Sequence, residues 1–166
     1  VWYLDLHGFK DDDEWRGDDG EIALIAGQVR EADLAGTVVF ALNCWLGNER
    51  SPMLRAMLDA GARCVIGGDG PNWSSPQNGP MMYGAALLGR WFLIMLQTMM
   101  DDPNRALRIS KKLLQASLQA TRAAKMVVSG IGEWLPTGYL DKVAGDVVKA
   151  SEDTMGFRLF TKEDMA

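Results

Sequence analysis

The sequence predicts an α/β fold built on a parallel sheet. Two observations carry the prediction. Short apolar runs at Val1–Leu6, Thr37–Leu42 and Arg63–Gly67 alternate with helical patterns. The middle run, TVVFAL, is continuously apolar, as expected of a strand buried on both faces. Strand–helix–strand order implies parallel pairing with right-handed crossovers. At 166 residues and 48% hydrophobic composition, the chain can bury one sizeable core, so 1–166 is read as a single domain.

Taken in order, Val1–Leu6 (VWYLDL) is β-branched and aromatic and stops at His7-Gly8, a strand pattern. Phe9–Gly20 is polar and acidic and reads as a loop. Asp18 or Asp19 can cap a helix from Glu21 to Ala32, where Ile22, Ile25, Ala26 and Val29 recur at helical spacing. After the Thr37–Leu42 strand, Ser51-Pro52 reads as N-cap and first helical residue. That helix runs to Ala60, with Gly61 as its stop. Arg63–Gly67 is the third strand. The second half is mostly helical. Gly79–Met100 is one long apolar helix, and Asp102-Pro103 starts another to Lys125, with Arg105, Arg108, Lys111 and Lys112 on its solvent side. Pro136–Ala150 is a third helix, and Gly156–Thr161 a last short strand.

Charge and residue counts exclude several functions. Lys and Arg total 17 against 22 Asp and Glu, a net −5, whereas a nucleic-acid partner calls for a basic surface. The longest apolar run, Ala85–Met100, is broken by Arg90 and Gln97 and falls short of the roughly 20 residues of a membrane span. One histidine excludes a two-His metal site. Two cysteines are too few for a disulfide framework or a Cys-only zinc site, and reduced thiols fit a cytoplasmic setting. The acid run Asp11–Glu14 lacks the alternating spacing of a calcium loop and reads as solvated. No metal or cofactor is called for. The chain opens on Val1 rather than Met, which reads as a processing or truncation point.

Parallel sheets bind ligands beyond the carboxyl ends of their strands. Three such ends are legible: His7-Gly8, Asn43-Cys44 and Gly67-Gly68-Asp69. His7 and Cys44 are 37 residues apart, about one strand–crossover–strand unit. On neighbouring strands, roughly 4.8 Å apart, the one imidazole and one of the two thiols would stand side by side. That is the arrangement of a Cys–His dyad. The thiolate attacks a carbonyl carbon, and the imidazole protonates the leaving amine and then activates water. The developing oxyanion needs N–H donors, for which the amides of Gly8 and Cys44 are the candidates. The bland alternatives are a small buried cysteine and a turn histidine. Cys64 sits inside its strand and reads as core.

Strand-His-Gly (LDLHG), strand-Cys (VVFALNC) and AGARCVIGG together resemble the CHAT domain of the caspase-like (clan CD) cysteine peptidases. The segments GAALLGRWF, NRALRISKKLL and GFRLF are similar to that family's later helices and last strand. The resemblance implies a caspase-like three-layer sandwich with a mostly parallel sheet. It implies His7 and Cys44 as the dyad, with Gly8 and Cys44 at the oxyanion, and a protein or peptide substrate. Asp69 would favour a basic residue before the cut, and Trp45 and Trp73 would wall the cleft. The family's strands preceding the His strand are missing here, to be supplied by another chain or an upstream portion of a larger protein. A regulatory partner or an upstream helical-repeat region is also implied. Leu42-Asn43 before the cysteine and Trp45-Leu46 after it depart from the family pattern.

A catalytically silent interaction module of the same fold is the alternative. A Cys-dependent α/β-hydrolase is disfavoured, because Leu42 and Leu46 occupy the glycine positions of its nucleophile elbow and the histidine precedes the cysteine. A flavodoxin-like small-molecule binder lacks the Gly-rich phosphate loop.

Overall fold

A computed structural model describes residues 1–70, 84–98, 102–131 and 156–165. Its strands are β1 (Trp2–Leu4), β2 (Glu14–Arg16), β3 (Ile22–Ile25), β4 (Val38–Ala41), β5 (Cys64–Gly67) and β6 (Arg158–Phe160). Its α-helices are α1 (Ala26–Glu31), α2 (Pro52–Asp59), α3 (Gly84–Thr98) and α4 (Pro103–Ile131).

The fold is mixed α/β. A four-stranded sheet has the order β1-β4-β5-β6, and β2 and β3 form a separate two-stranded hairpin. β1 and β5 flank β4 in parallel, and β6 runs antiparallel to β5, so the sheet is mostly parallel. β4 and β5 are buried along their whole length, as their unbroken apolar runs require.

Strand alternation sorts these apolar residues between two helical layers. Val39, Ala41 and Val65 pack with Val29 of α1 and Met53, Leu54 and Met57 of α2. Val38, Phe40, Cys64 and Ile66 point the other way, onto Leu88 and Phe92 of α3 and Ala106 and Leu114 of α4. Phe40 is the hub of the second layer. Its ring stacks on Tyr3 at 5.8 Å, Phe92 at 5.1 Å and Phe157 at 5.5 Å between centroids. α3 approaches this stack at Gly89, where a Cβ would lie 2.7 Å from the Tyr3 ring and 2.9 Å from Phe40.

α2 follows its sequence signals closely. The Ser51 hydroxyl accepts a hydrogen bond from the Leu54 N–H, Pro52 occupies the first turn, and Gly61 leaves the helix with φ +94°.

The region before β4 differs from expectation. The acidic loop contains β2, and Trp15 within it is 2% exposed. The expected helix start is instead β3, paired antiparallel to β2. Asp18 and Asp19 cap no helix; α1 begins behind Ile25 without a side-chain cap. Asp19 accepts the Glu21 N–H in a tight turn that Gly20 completes at φ +82°. The helical spacing of Ile22 and Ile25 was outweighed by cross-strand pairing, with Leu24 opposite Trp15. α4 runs six residues past the expected Lys125, to Ile131. Along it Arg105, Arg108 and Lys112 are exposed, whereas Lys111 is half-buried. The expected helix at Pro136–Ala150, the ends of the Gly79–Met100 helix and Trp73 lie outside the described residues. Among the described residues, no helix is long and apolar enough to cross a membrane.

Candidate functional site

The two residues singled out as a dyad lie beyond the carboxyl ends of adjacent parallel strands. Trp2 pairs with Val39, Tyr3 with Phe40 and Leu4 with Ala41, a constant offset of 37. His7 and Cys44 differ in number by the same 37. The Leu42 N–H donates to the Leu4 carbonyl at 2.8 Å, carrying the pairing one step past the strands. The next residue of this segment, Asn43, is fully buried.

Gly8 joins the two chain segments. A Cβ there would fall 2.9 Å from Trp15 Nε1 and 3.4 Å from the Cys44 carbonyl oxygen. Glycine is thus what lets the His7-Gly8 segment sit against both the Trp15 indole and the Cys44 backbone. Trp15 is held in the core by the β2–β3 hairpin, which replaces the expected loop.

That hairpin also fixes His7. The His7 N–H donates to the Arg16 carbonyl at 2.7 Å, and the Arg16 N–H donates to the His7 carbonyl at 2.9 Å. These two bonds use the His7 backbone and leave the Gly8 amide out of the bridge. The hairpin turn then brings Asp18 to the imidazole, with Nε2 to Oδ1 at 3.0 Å. A carboxylate can only accept, so neutral His7 carries its proton on Nε2 and presents Nδ1 as the basic nitrogen. Asp5 completes the charge cluster. Desolvation pushes its carboxyl above the usual range, Asp18 pushes it further, and His7 pulls it back.

On the other side, Cys44 opens a tight turn. Trp45 takes φ +63°, a left-handed conformation uncommon for a residue with a bulky side chain. Strain of this kind persists only where surrounding bonds enforce it. Here the Trp45 N–H donates to the Gly70 carbonyl at 3.0 Å and the Gly47 N–H to the Gly68 carbonyl at 2.7 Å. Gly47 has no room for a side chain, since a Cβ would lie 2.7 Å from the Gly67 oxygen. The same bonds lay the Gly68–Gly70 segment, and with it exposed Asp69, alongside the Cys44 turn. Asp69 also acts electrostatically on Lys111 of α4. Cys44 is a partly exposed thiol, and Cys64 is buried in β5.

The strand ends, Gly8 and the Asp69 segment are therefore gathered at one rim. Two participants escaped the sequence reading. Asp18 reads from sequence only as one of two candidate helix caps, with Asp19, because hairpin pairing leaves no local signature at the aspartate itself. Arg158 donates from its guanidinium to the Gly47 carbonyl at 3.2 Å, and it approaches Glu49 at 3.9 Å. Its sequence position, over a hundred residues from Gly47, gives no hint of this contact. Among the described residues, no group of three or more His, Cys, Asp or Glu side chains could hold a metal ion.

Comparison with known proteins adds no assignment. No family model, curated protein or solved structure matches the chain.

Proposed function

We propose that this protein is a cysteine endopeptidase of the caspase-like type, with Cys44 as nucleophile and His7 as general acid–base. The observation that supports the reading is that His7 and Cys44 follow adjacent parallel strands at the 37-residue offset of the β1–β4 register, with Gly8 packed close to the Cys44 backbone. The mostly parallel sheet between helical layers is compatible with the caspase-like sandwich.

In this reading His7 takes the Cys44 proton through Nδ1 as sulfur attacks the scissile carbonyl carbon. The carbonyl oxygen gains the negative charge and is met by the Gly8 and Cys44 amides. The imidazolium returns its proton to the leaving amine, and the C–N bond breaks to leave a thioester. Water, deprotonated by His7, then adds to the thioester and frees the acid and the thiol. Asp18 is a positioning residue: its contact with Nε2 orients the ring and stabilises the transient imidazolium, as the carboxylate does in a hydrolytic triad. Asp69, beside the turn, supplies the negative charge that would select Arg or Lys before the cut, with Trp45 as a wall.

The test is cleavage of fluorogenic peptides ending in Arg or Lys. Cleavage by the intact chain should fall roughly 10³-fold or more in Cys44→Ala, as expected when a nucleophile is removed. Activity indifferent to that substitution overturns the assignment.

A further inference from the structure

The charge of this protein is unevenly distributed. α4 contains six of the chain's 17 Lys and Arg and none of its 22 Asp and Glu. Its first half, together with β6, lines an open groove of about 770 Å³. Arg105, Arg108 and Lys112 fall at i, i+3 and i+7, one side of the helix, and all three are exposed. Lys111 stands beside them, and Arg158 of β6 joins the lining across the groove. Asp102 at the helix start is the one carboxylate among the lining residues.

Like charges three and four residues apart on a helix repel one another. Nothing on α4 offsets them, and among the described residues Arg105, Arg108 and Lys112 form no ion pair. The groove concentrates this charge. Burial pushes the Lys111 amine below its usual range, Asp69 raises it and nearby Arg158 lowers it further. The groove wall is not purely polar. Half-buried Leu159 and the methylene stems of the arginines and lysines contribute apolar surface to it, whereas Leu107 and Phe157 are buried, at 6% and 0% exposed.

We propose that the groove between α4 and β6 docks an acidic, amphipathic peptide segment of a partner protein. Carboxylates would meet the guanidinium and ammonium groups on α4, and intervening apolar side chains would lie on Leu159 and the methylene stems of the basic residues. The mixed lining favours this over a phosphate backbone, which offers charge without apolar side chains to bury. A net charge of −5 also repels a polyanion that extends beyond the groove. The groove is lined from α4 and β6 and borders the Cys44 rim at Arg158, which also donates to the Gly47 carbonyl, but it includes neither His7 nor Cys44.

The test is fluorescence anisotropy of the full chain with a short peptide of interleaved Glu and Leu, compared with its Gln counterpart. The Glu peptide should bind about tenfold or more tightly than the Gln peptide, and the difference should shrink as salt rises. Double reversal, Arg105→Glu with Arg108→Glu, should weaken binding about tenfold or more. The control pair Lys10→Glu with Arg30→Glu makes the same change in net charge at exposed positions outside the groove. It should stay within about twofold. Both pairs are first shown to melt like the parent. No binding of the Glu peptide, or equal losses in the two double variants, overturns the proposal. So does tighter binding of a single-stranded oligonucleotide, which would identify a nucleic-acid site, or displacement by inorganic phosphate at matched ionic strength, which would identify a small-anion site.

Discussion

His7 and Asp18 meet through Nε2 and Oδ1 at 3.0 Å, although each belongs to a different arm of the chain. The imidazole follows β1, and the carboxylate sits at the tip of the β2–β3 hairpin. Both are substantially exposed, with 49% and 86% of their side-chain surface accessible. Exposed ion pairs add little to stability. The contact therefore matters for which ring nitrogen carries the proton rather than for holding the fold.

A double-mutant cycle checks this role. Asp18→Asn is expected to slow iodoacetamide labelling of Cys44 by about 3- to 10-fold, within the coupling range of residues in direct contact. In a His7→Ala background the same substitution should change nothing. Equal effects in both backgrounds would mean that Asp18 acts on Cys44 without the imidazole. Melting temperature should move little in either variant.

The two thiols should separate sharply by reactivity. Cys44 is partly exposed, whereas Cys64 is 2% exposed within β5. Native-state labelling followed by peptide mass analysis is expected to favour Cys44 by about 100-fold or more, because Cys64 reacts only after local opening. The two rates should converge in denaturant. Exposure alone yields this ordering, so the dyad is tested by the additional slowing in His7→Ala.

Gly89→Ala tests the close approach of α3 to the sheet. The added methyl meets the rings of Tyr3 and Phe40 below 3 Å, and Phe40 is fully buried between other rings. Overpacking should cost about 1–3 kcal/mol. The better helix propensity of alanine returns up to about 1 kcal/mol. A net loss in urea unfolding is expected. A gain would mean that Tyr3, which is 40% exposed, swings aside freely.

Asp5 should impose a pH dependence of opposite sign to that of an ion-paired carboxylate. Its folded-state pKa is raised above 3.8, chiefly by desolvation, so the native state holds the proton more tightly than the unfolded chain. Ionised Asp5 then costs stability above the folded pKa, and the cost disappears as pH falls through that value towards 3.8. Asp5→Asn is expected to raise the melting temperature at pH 7 by ~1–3 °C. The gain should vanish in acid. A gain that persists below pH 3.8 would point to a cause other than ionisation.

Much of the architecture was legible in the amino-acid order. The unbroken apolar runs at Val38–Ala41 and Cys64–Gly67 can be satisfied only by burial on both faces, which places them inside a sheet with helices on either side. Ser51-Pro52 and Gly61 delimit α2 through local backbone chemistry, which needs no distant partner. The 37-residue separation of His7 and Cys44 was visible too, but its match to the register of β1 on β4 was decided by the strand pairing. Tertiary structure decided what local pattern leaves ambiguous. Ile22 and Ile25 suit a helix face as well as a strand, and pairing with Glu14–Arg16 settled the choice. Once the hairpin forms, it delivers Asp18 to His7 and Trp15 to Gly8, contacts between groups whose separation in sequence carries no periodicity. Arg158 reaches Gly47 for the same reason. Propensity and hydrophobic period act over a few residues, whereas a hydrogen bond between two arms exists only after the core has set their positions.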